Sequence, residues 1–135
     1  MKDMKNNIKV SNALNVQVIA SNTTTAGVII DTKGYDSLTL AFQTGTITDG
    51  DYTLLIEEGN SATLTDAAAV ADADLLGTEA GASFSADADD NKVSKIGYRG
   101  DKRYVRLSVV STNVTTGGTV GATAIQGHPQ FAPVA

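Results

Sequence analysis

The sequence predicts an all-β fold: a single antiparallel β-sandwich of jelly-roll type. Three observations carry that expectation. Apolar and polar residues alternate along short runs, the runs are rich in Val, Thr and Ile, and Gly, Asn and Asp interrupt them at short intervals. Seven or eight short strands at this spacing, with no stable internal repeat, fit two packed sheets. At 135 residues the chain is one domain long and can bury one core without disulfide staples. A composition of 41% hydrophobic and 19% charged residues is globular rather than disordered.

Residues 1–15 are polar at their start and read as an N-terminal arm. The sandwich domain is expected over 16–126. Val16–Ala20 is its first strand, and Gly27–Asp31 a short apolar one that stops at Lys33-Gly34. Ser37–Gln43 alternates with Leu38, Leu40 and Phe42 on one face, and Tyr52–Glu58 does so with Tyr52, Leu54 and Ile56. Thr48-Asp49-Gly50-Asp51 lies between them, and because Asp-Gly supplies positive φ, the two strands are expected to pair as an antiparallel hairpin. The Ala-rich stretch near 66–76 breaks the alternation and predicts one short helical segment, capped by Thr65 or Asp66 and stopped by Gly77. A short strand is expected around Phe84. Lys92–Tyr98 and Arg103–Val110 predict a second hairpin around Arg99–Lys102. Thr115–Gly118 is a turn, and Thr119–Gln126 is the last strand. Residues 127–135 hold both prolines, Pro129 and Pro133, and are expected to form an extended C-terminal tail.

Little in this inventory supports catalysis, and the expectation is that the chain is not an enzyme and uses no cofactor. There is no cysteine, so no disulfide, thiolate nucleophile or Cys-ligated metal. The one histidine, His128, sits in the tail, and no Gly-x-Ser-x-Gly elbow provides a nucleophile for it. Glu57 and Glu58 are adjacent on a strand and point to opposite faces, so they cannot act as a paired acid and base. Asp87–Asn91 imitates the opening of a calcium loop, but Lys92 and Tyr98 occupy the places of its Gly and its bidentate Glu. No metal site is therefore expected. A net charge of −5 and a pI near 4.6 argue against nucleic acid as a partner. No apolar run approaches the ~20 residues of a membrane span, and no apolar segment follows the polar start, so synthesis in a cytoplasm without secretion is expected.

Charge is segregated along the chain. Seven of the fifteen acids (Asp66, Asp72, Asp74, Glu79, Asp87, Asp89 and Asp90) precede six of the ten basic residues, Lys92 to Arg106. Lys95, Arg99, Lys102, Arg103, Tyr104 and Arg106, with His128, are the candidate partner-binding residues. An Arg beside a Tyr on an outward face is a pairing enriched at interface hot spots. The other reading is that these arginines pair with acids on their own surface. Val16–Ala20 and Thr119–Gln126 are Thr- or Val-rich and uncharged, which suggests edges or faces covered by a partner. A homo-oligomer, most simply a trimer, is expected from them.

Two stretches carry resemblances. Tyr52–Ala67 and the Lys102-Arg103-Tyr104-Val105-Arg106-Leu107 strand resemble elements of discoidin-like jelly-roll sandwiches, which bind glycans, lipids or proteins through end loops. Ile47–Gly50, Glu57–Asp66, Ile96–Arg106, the Thr115–Gly118 turn and the ending Gly127-His128-Pro129 with Ala132-Pro133 are similar to head decoration (cement) proteins of tailed bacteriophages. The second resemblance spans about two-thirds of the chain. It implies a viral structural protein on the virion head surface, made in the host cytoplasm and bound to the major capsid protein. The alternative is a carbohydrate- or cell-surface-binding sandwich module of a phage particle.

Overall fold

Alternating burial along the long strands builds two sheets around one core. The computed structural model describes residues 2–85 and 89–134. Sheet A contains β1 (Lys9–Ile19), β4 (Tyr35–Ile47), β7 (Leu75–Leu76), β9 (Val93–Tyr98) and β11 (Gly118–Pro129), in the order β1-β11-β4-β9-β7. Sheet B contains β2 (Thr24–Ala26), β3 (Ile30–Asp31), β5 (Asp51–Gly59), β6 (Ala68–Ala69), β8 (Phe84–Ser85) and β10 (Tyr104–Thr112). Its order is β2-β10-β5-β6, with β3 also on β10 and β8 also on β5. The pairings are antiparallel. With β2 and β3 taken as one broken strand and β6 and β8 as another, the two orders form the double Greek key of a jelly roll.

Leu38, Leu40, Phe42, Ile96, Val120 and Ala124 of sheet A are buried with Tyr52, Leu54, Ile56, Val105, Leu107 and Val109 of sheet B. Phe42 stacks on Phe84, ring centroids 5.4 Å apart. Both faces predicted for Ser37–Gln43 and Tyr52–Glu58 are therefore the buried ones.

Neither expected hairpin forms. β4 pairs with β11 and β9, and β5 pairs with β10 in the other sheet. Likewise β9 lies in sheet A and β10 in sheet B. The Asp-Gly turn is a corner between sheets. Gly50 does adopt a positive φ of 101°. The Asp49 carboxylate accepts the amides of Thr115, Thr116 and Gly117 at 2.9–3.1 Å, which fastens this corner to the β10–β11 turn. Those three donors hold the Asp49 carboxyl below its ordinary range. A strand with one buried face looks the same in sequence whether its chain neighbour lies beside it or across the core, which is why alternation misassigned the partners.

The expected domain limits are also too narrow. Lys9 and Val10 pair with Gln126 and Ile125, and Gly127 and Pro129 lie opposite Ser37 and Tyr35. Residues 9–15 of the expected arm and 127–129 of the expected tail are thus sheet, anchored by buried Ala13 and Leu14.

The helical segment expected near 66–76 is present only as one 3-10 turn, with a short α-helix just beyond it. Residues 66–76 hold β6, a 3-10 turn at Asp72–Asp74, and β7. This stretch crosses from β5 of sheet B to β9 of sheet A, with Val70 and Leu75 buried on the way. Sheets lie ~10 Å apart, and an extended chain covers that gap with fewer residues than a helix rising 1.5 Å each. Packing here overrides alanine's helix propensity. The short helix is α1 (Glu79–Ala82), whose first turn is capped by the Thr78 hydroxyl accepting the Gly81 amide at 2.9 Å.

α1 has a structural task. β6 pairs with Glu57 and Glu58, and β8 with Asp51 and Tyr52, leaving the middle of that β5 edge without a strand. Side chains fill the gap: Glu79 accepts the Ile56 amide at 2.7 Å and Ser83 accepts the Leu54 amide at 3.0 Å. The Ser83 hydroxyl in turn donates to the Glu79 carbonyl at 2.6 Å.

Candidate interaction surfaces

Because β9 and β10 lie in different sheets, the expected basic hairpin is divided. Arg99, Lys102, Arg103 and Tyr104 gather at the corner joining the two strands. Lys95 stands on the outer face of sheet A opposite Ala41, Arg106 on the outer face of sheet B, and His128 at the C-terminal end of β11, beside Ser37 of β4.

Most of these groups are engaged within the chain. Arg99 donates from its amide and its Nε to the carbonyls of Asp74 and Ala73, at 2.8 and 2.9 Å. The Lys102 amide donates to the Tyr98 hydroxyl at 3.1 Å, and that hydroxyl donates to Glu58 at 2.6 Å. Burial and then the Glu58 carboxylate push the Tyr98 phenol well above its ordinary value. Arg103 forks onto Asp31 with two 2.8 Å bonds and lies 5.0 Å from the Tyr104 ring centroid. This hydrogen bonding draws the Asp31 carboxyl down to about 2. Arg106 donates to Glu57 at 2.9 Å, with side chains only 22% and 20% exposed. Its Nε is enclosed without a hydrogen-bond partner among the described residues. For Arg103 and Arg106 the geometry is thus the own-surface pairing that the sequence left open. Glu57 and Glu58 point to opposite faces, one toward Arg106 and the other toward Tyr98. His128 has a φ of 50°, and its Nδ1 lies 2.9 Å from the Ser37 hydroxyl.

Among the described residues no cluster of three or more His, Cys, Asp or Glu is placed to hold a metal. Asp87 lies outside the described residues, whereas the Asp89 and Asp90 carboxylates accept the Ser85 and Ile47 amides at 2.8 and 2.7 Å. Tyr52 and Tyr98 are buried, and Tyr35 and Tyr104 are half-buried.

The outer face of sheet A is the feature that the sequence signalled only in part. The two uncharged stretches noted there become neighbours, since β1 pairs with β11. β4 and β9 extend the same face with Thr39, Ala41, Gln43 and Val93. Through 10–19, 37–45, 93–97 and 119–127, Lys95 is the only charged residue. Val16 is 78% exposed, and Val10, Val18 and Val93 are also exposed. At one end, the residues around the N-terminal 3-10 turn and the end of β11 enclose an apolar groove of about 530 Å³, walled by Met4, Ile8, Thr39, Ile125, His128 and Pro129. The legible signal was what fills the outward strand positions: Thr, Ala, Gly and Val stand where a solvated strand would carry Lys or Glu. Seeing one continuous face required the strand order.

Comparison with known proteins returns no match: no family model, no curated sequence and no solved structure matches the chain. Fold and surface therefore define the class unaided, a jelly-roll β-sandwich with one low-charge outer face. Among the described residues, no helix is long and apolar enough to cross a membrane.

Proposed function

We propose that this chain is a structural protein that binds a larger protein shell through the outer face of sheet A. The resemblance described above suggests the shell of a tailed-phage head, with the major capsid protein as the partner and the virion surface as the location. One observation carries the reading: a sheet face with exposed valines and a single charge, on a chain of net charge −5. Exposed apolar side chains grouped on one face mark contact sites, and the cores of protein interfaces are depleted of charge. Self-association, with a trimer as the simplest form, belongs to the same proposal, because contacts to several subunits let each be modest. The carbohydrate-binding alternative would use several exposed rings, whereas the four tyrosines are buried or half-buried and only Phe131 is strongly exposed among the described aromatic residues.

Co-sedimentation with decoration-free heads tests it. The wild-type chain should bind. Val16→Glu, which puts a charge on an already exposed position, should lower occupancy at least tenfold with unchanged thermal stability. Failure of the wild-type chain to bind, or wild-type occupancy by Val16→Glu, would overturn the proposal.

A further inference from the structure

We infer that Phe131 of one copy seats in the apolar groove of a second copy, so that the chain closes into a small symmetric ring. This deepens the self-association part of the preceding proposal and rests on it, but not on the identity of the shell.

Phe131 is 86% exposed, the highest value among the large apolar side chains of the described residues. It is not presented by a loose segment. Gln130 donates its amide to the Gly34 carbonyl at 2.9 Å, and Val134 donates to the Asn6 carbonyl at 2.7 Å, so the backbone is tied on both sides of the ring. An aromatic fixed in solvent by its own backbone has the form of an interface anchor awaiting a pocket. The groove is such a pocket. Met4, Ile8, Ile125 and Pro129 give it apolar walls, and about 530 Å³ is ample for a phenyl ring.

Electrostatics favours a second copy as the occupant. Two chains of net charge −5 repel unless they meet where charge is absent. The groove lining includes no Asp, Glu, Lys or Arg, and neither does the segment 127–134 that carries Phe131. Neutral surface is matched to neutral surface.

Placement favours closure. Pro129 lines the groove and Phe131 follows two residues later, so knob and hole lie side by side. A rotation that carries each knob into the next hole then has its axis close to both, which gives a ring of two or three copies rather than an open filament. Burying a phenylalanine removes about 150–250 Å² from water, and the groove wall loses a similar area. Two such contacts in a dimer amount to roughly 800 Å², below the ~1,200 Å² of a stable interface. The adjoining strip of Val10, Asn12 and Thr123 must supply the rest, and the association should be of micromolar rather than nanomolar strength.

Light scattering on the purified chain without heads tests the inference. At about 100 μM the wild-type chain should be a dimer or trimer and Phe131→Ala a monomer; diluted until both are monomeric, the two should share one melting temperature, since the side chain removed is solvent-exposed in the single chain. A monomeric wild-type chain, or Phe131→Ala assembling like wild type, would overturn it. A benzoylphenylalanine in place of Phe131 supplies a second readout in a mixture of isotopically light and heavy chains. Cross-links to the Met4–Ile8 or Ile125 peptides between light and heavy chains support the contact, whereas cross-links confined to one chain overturn it. A monomer that still binds heads would sink this inference together with the self-association part of the proposal and leave shell binding standing, whereas a ring that ignores heads would sink only shell binding.

Discussion

Replacing Glu79 by Ala removes the acceptor that stands in for a missing strand along β5. The Ile56 amide, in the interior of β5, donates to this carboxylate at 2.7 Å, and the Ile56 side chain is fully buried. A hydrogen bond to a charged group contributes about 1.5–3 kcal/mol, and a buried amide left without a partner costs about 1–3 kcal/mol. These describe the same loss from two sides, so the expected destabilisation is about 2 kcal/mol rather than their sum. For a domain of this size 1 kcal/mol moves the melting temperature by about 3–5 °C, so a fall of about 6–10 °C is expected. With an m-value of about 1.5–2 kcal/mol/M, the urea midpoint should drop by about 1 M. Glu79→Gln keeps a carbonyl oxygen at the same place and should cost about half as much. Hydrogen exchange localises the effect: the Ile56 amide should lose protection in Glu79→Ala well beyond the global change. An alanine variant within about 0.5 kcal/mol of wild type, with Ile56 still protected, would refute the view that α1 closes this edge.

Three further outcomes follow from the packing. Gly27 lies between the carbonyl oxygens of Ala13 and Leu107, where any Cβ would collide with backbone on both sides, so Gly27→Ala should cost about 3 kcal/mol or more by chemical denaturation. Asp31 is held near 2 from an ordinary 3.8, so its contribution is present above pH 4 and is lost as pH falls toward 2. Both side chains of the Asp31–Arg103 pair are nearly half exposed, and solvent screening reduces that contribution to under ~1 kcal/mol; urea midpoints of wild type and Arg103→Gln should converge between pH 4 and 2. Arg106→Ala strips Glu57 of its cation on a largely covered surface and should cost about 1 kcal/mol, while Arg106→Lys recovers part of it.

What the sequence disclosed follows from where the information is local. Leu38, Leu40 and Phe42, and Tyr52, Leu54 and Ile56, announce their buried faces because alternation is a property of one strand. The partner of each strand is not local, so Asp49-Gly50 looked like a hairpin although its carboxylate serves Thr115–Gly117. Residues 66–76 followed the same rule: the alanines favour a helix, and the need to cross from β5 to β9 draws them out. Of the candidate residues, the local cluster Arg99–Tyr104 does share one corner, but its two guanidinium groups are held by partners distant in sequence, Arg103 by the Asp31 carboxylate and Arg99 by the Ala73 carbonyl. The Val- and Thr-rich stretches showed their lack of charge in the sequence, but that they lie side by side on one face follows only from the pairing of β1 with β11.

The strand order has a consequence for the order of events in synthesis. β11 lies between β1 and β4, and β10 lies between β2 and β5. Each sheet therefore has a gap at its centre until strands made late have left the ribosome. Apart from the two-residue pairing of β5 with β6, hydrogen-bonded neighbours lie far apart along the chain, so loop closure is costly. Folding should be slow, cooperative and essentially post-translational. The low-charge face extends over β1, β11, β4 and β9, so it is assembled only in a finished molecule. A nascent or truncated chain has no such surface to offer, so under the shell-binding proposal the topology would act as a proofreading step that admits only complete subunits.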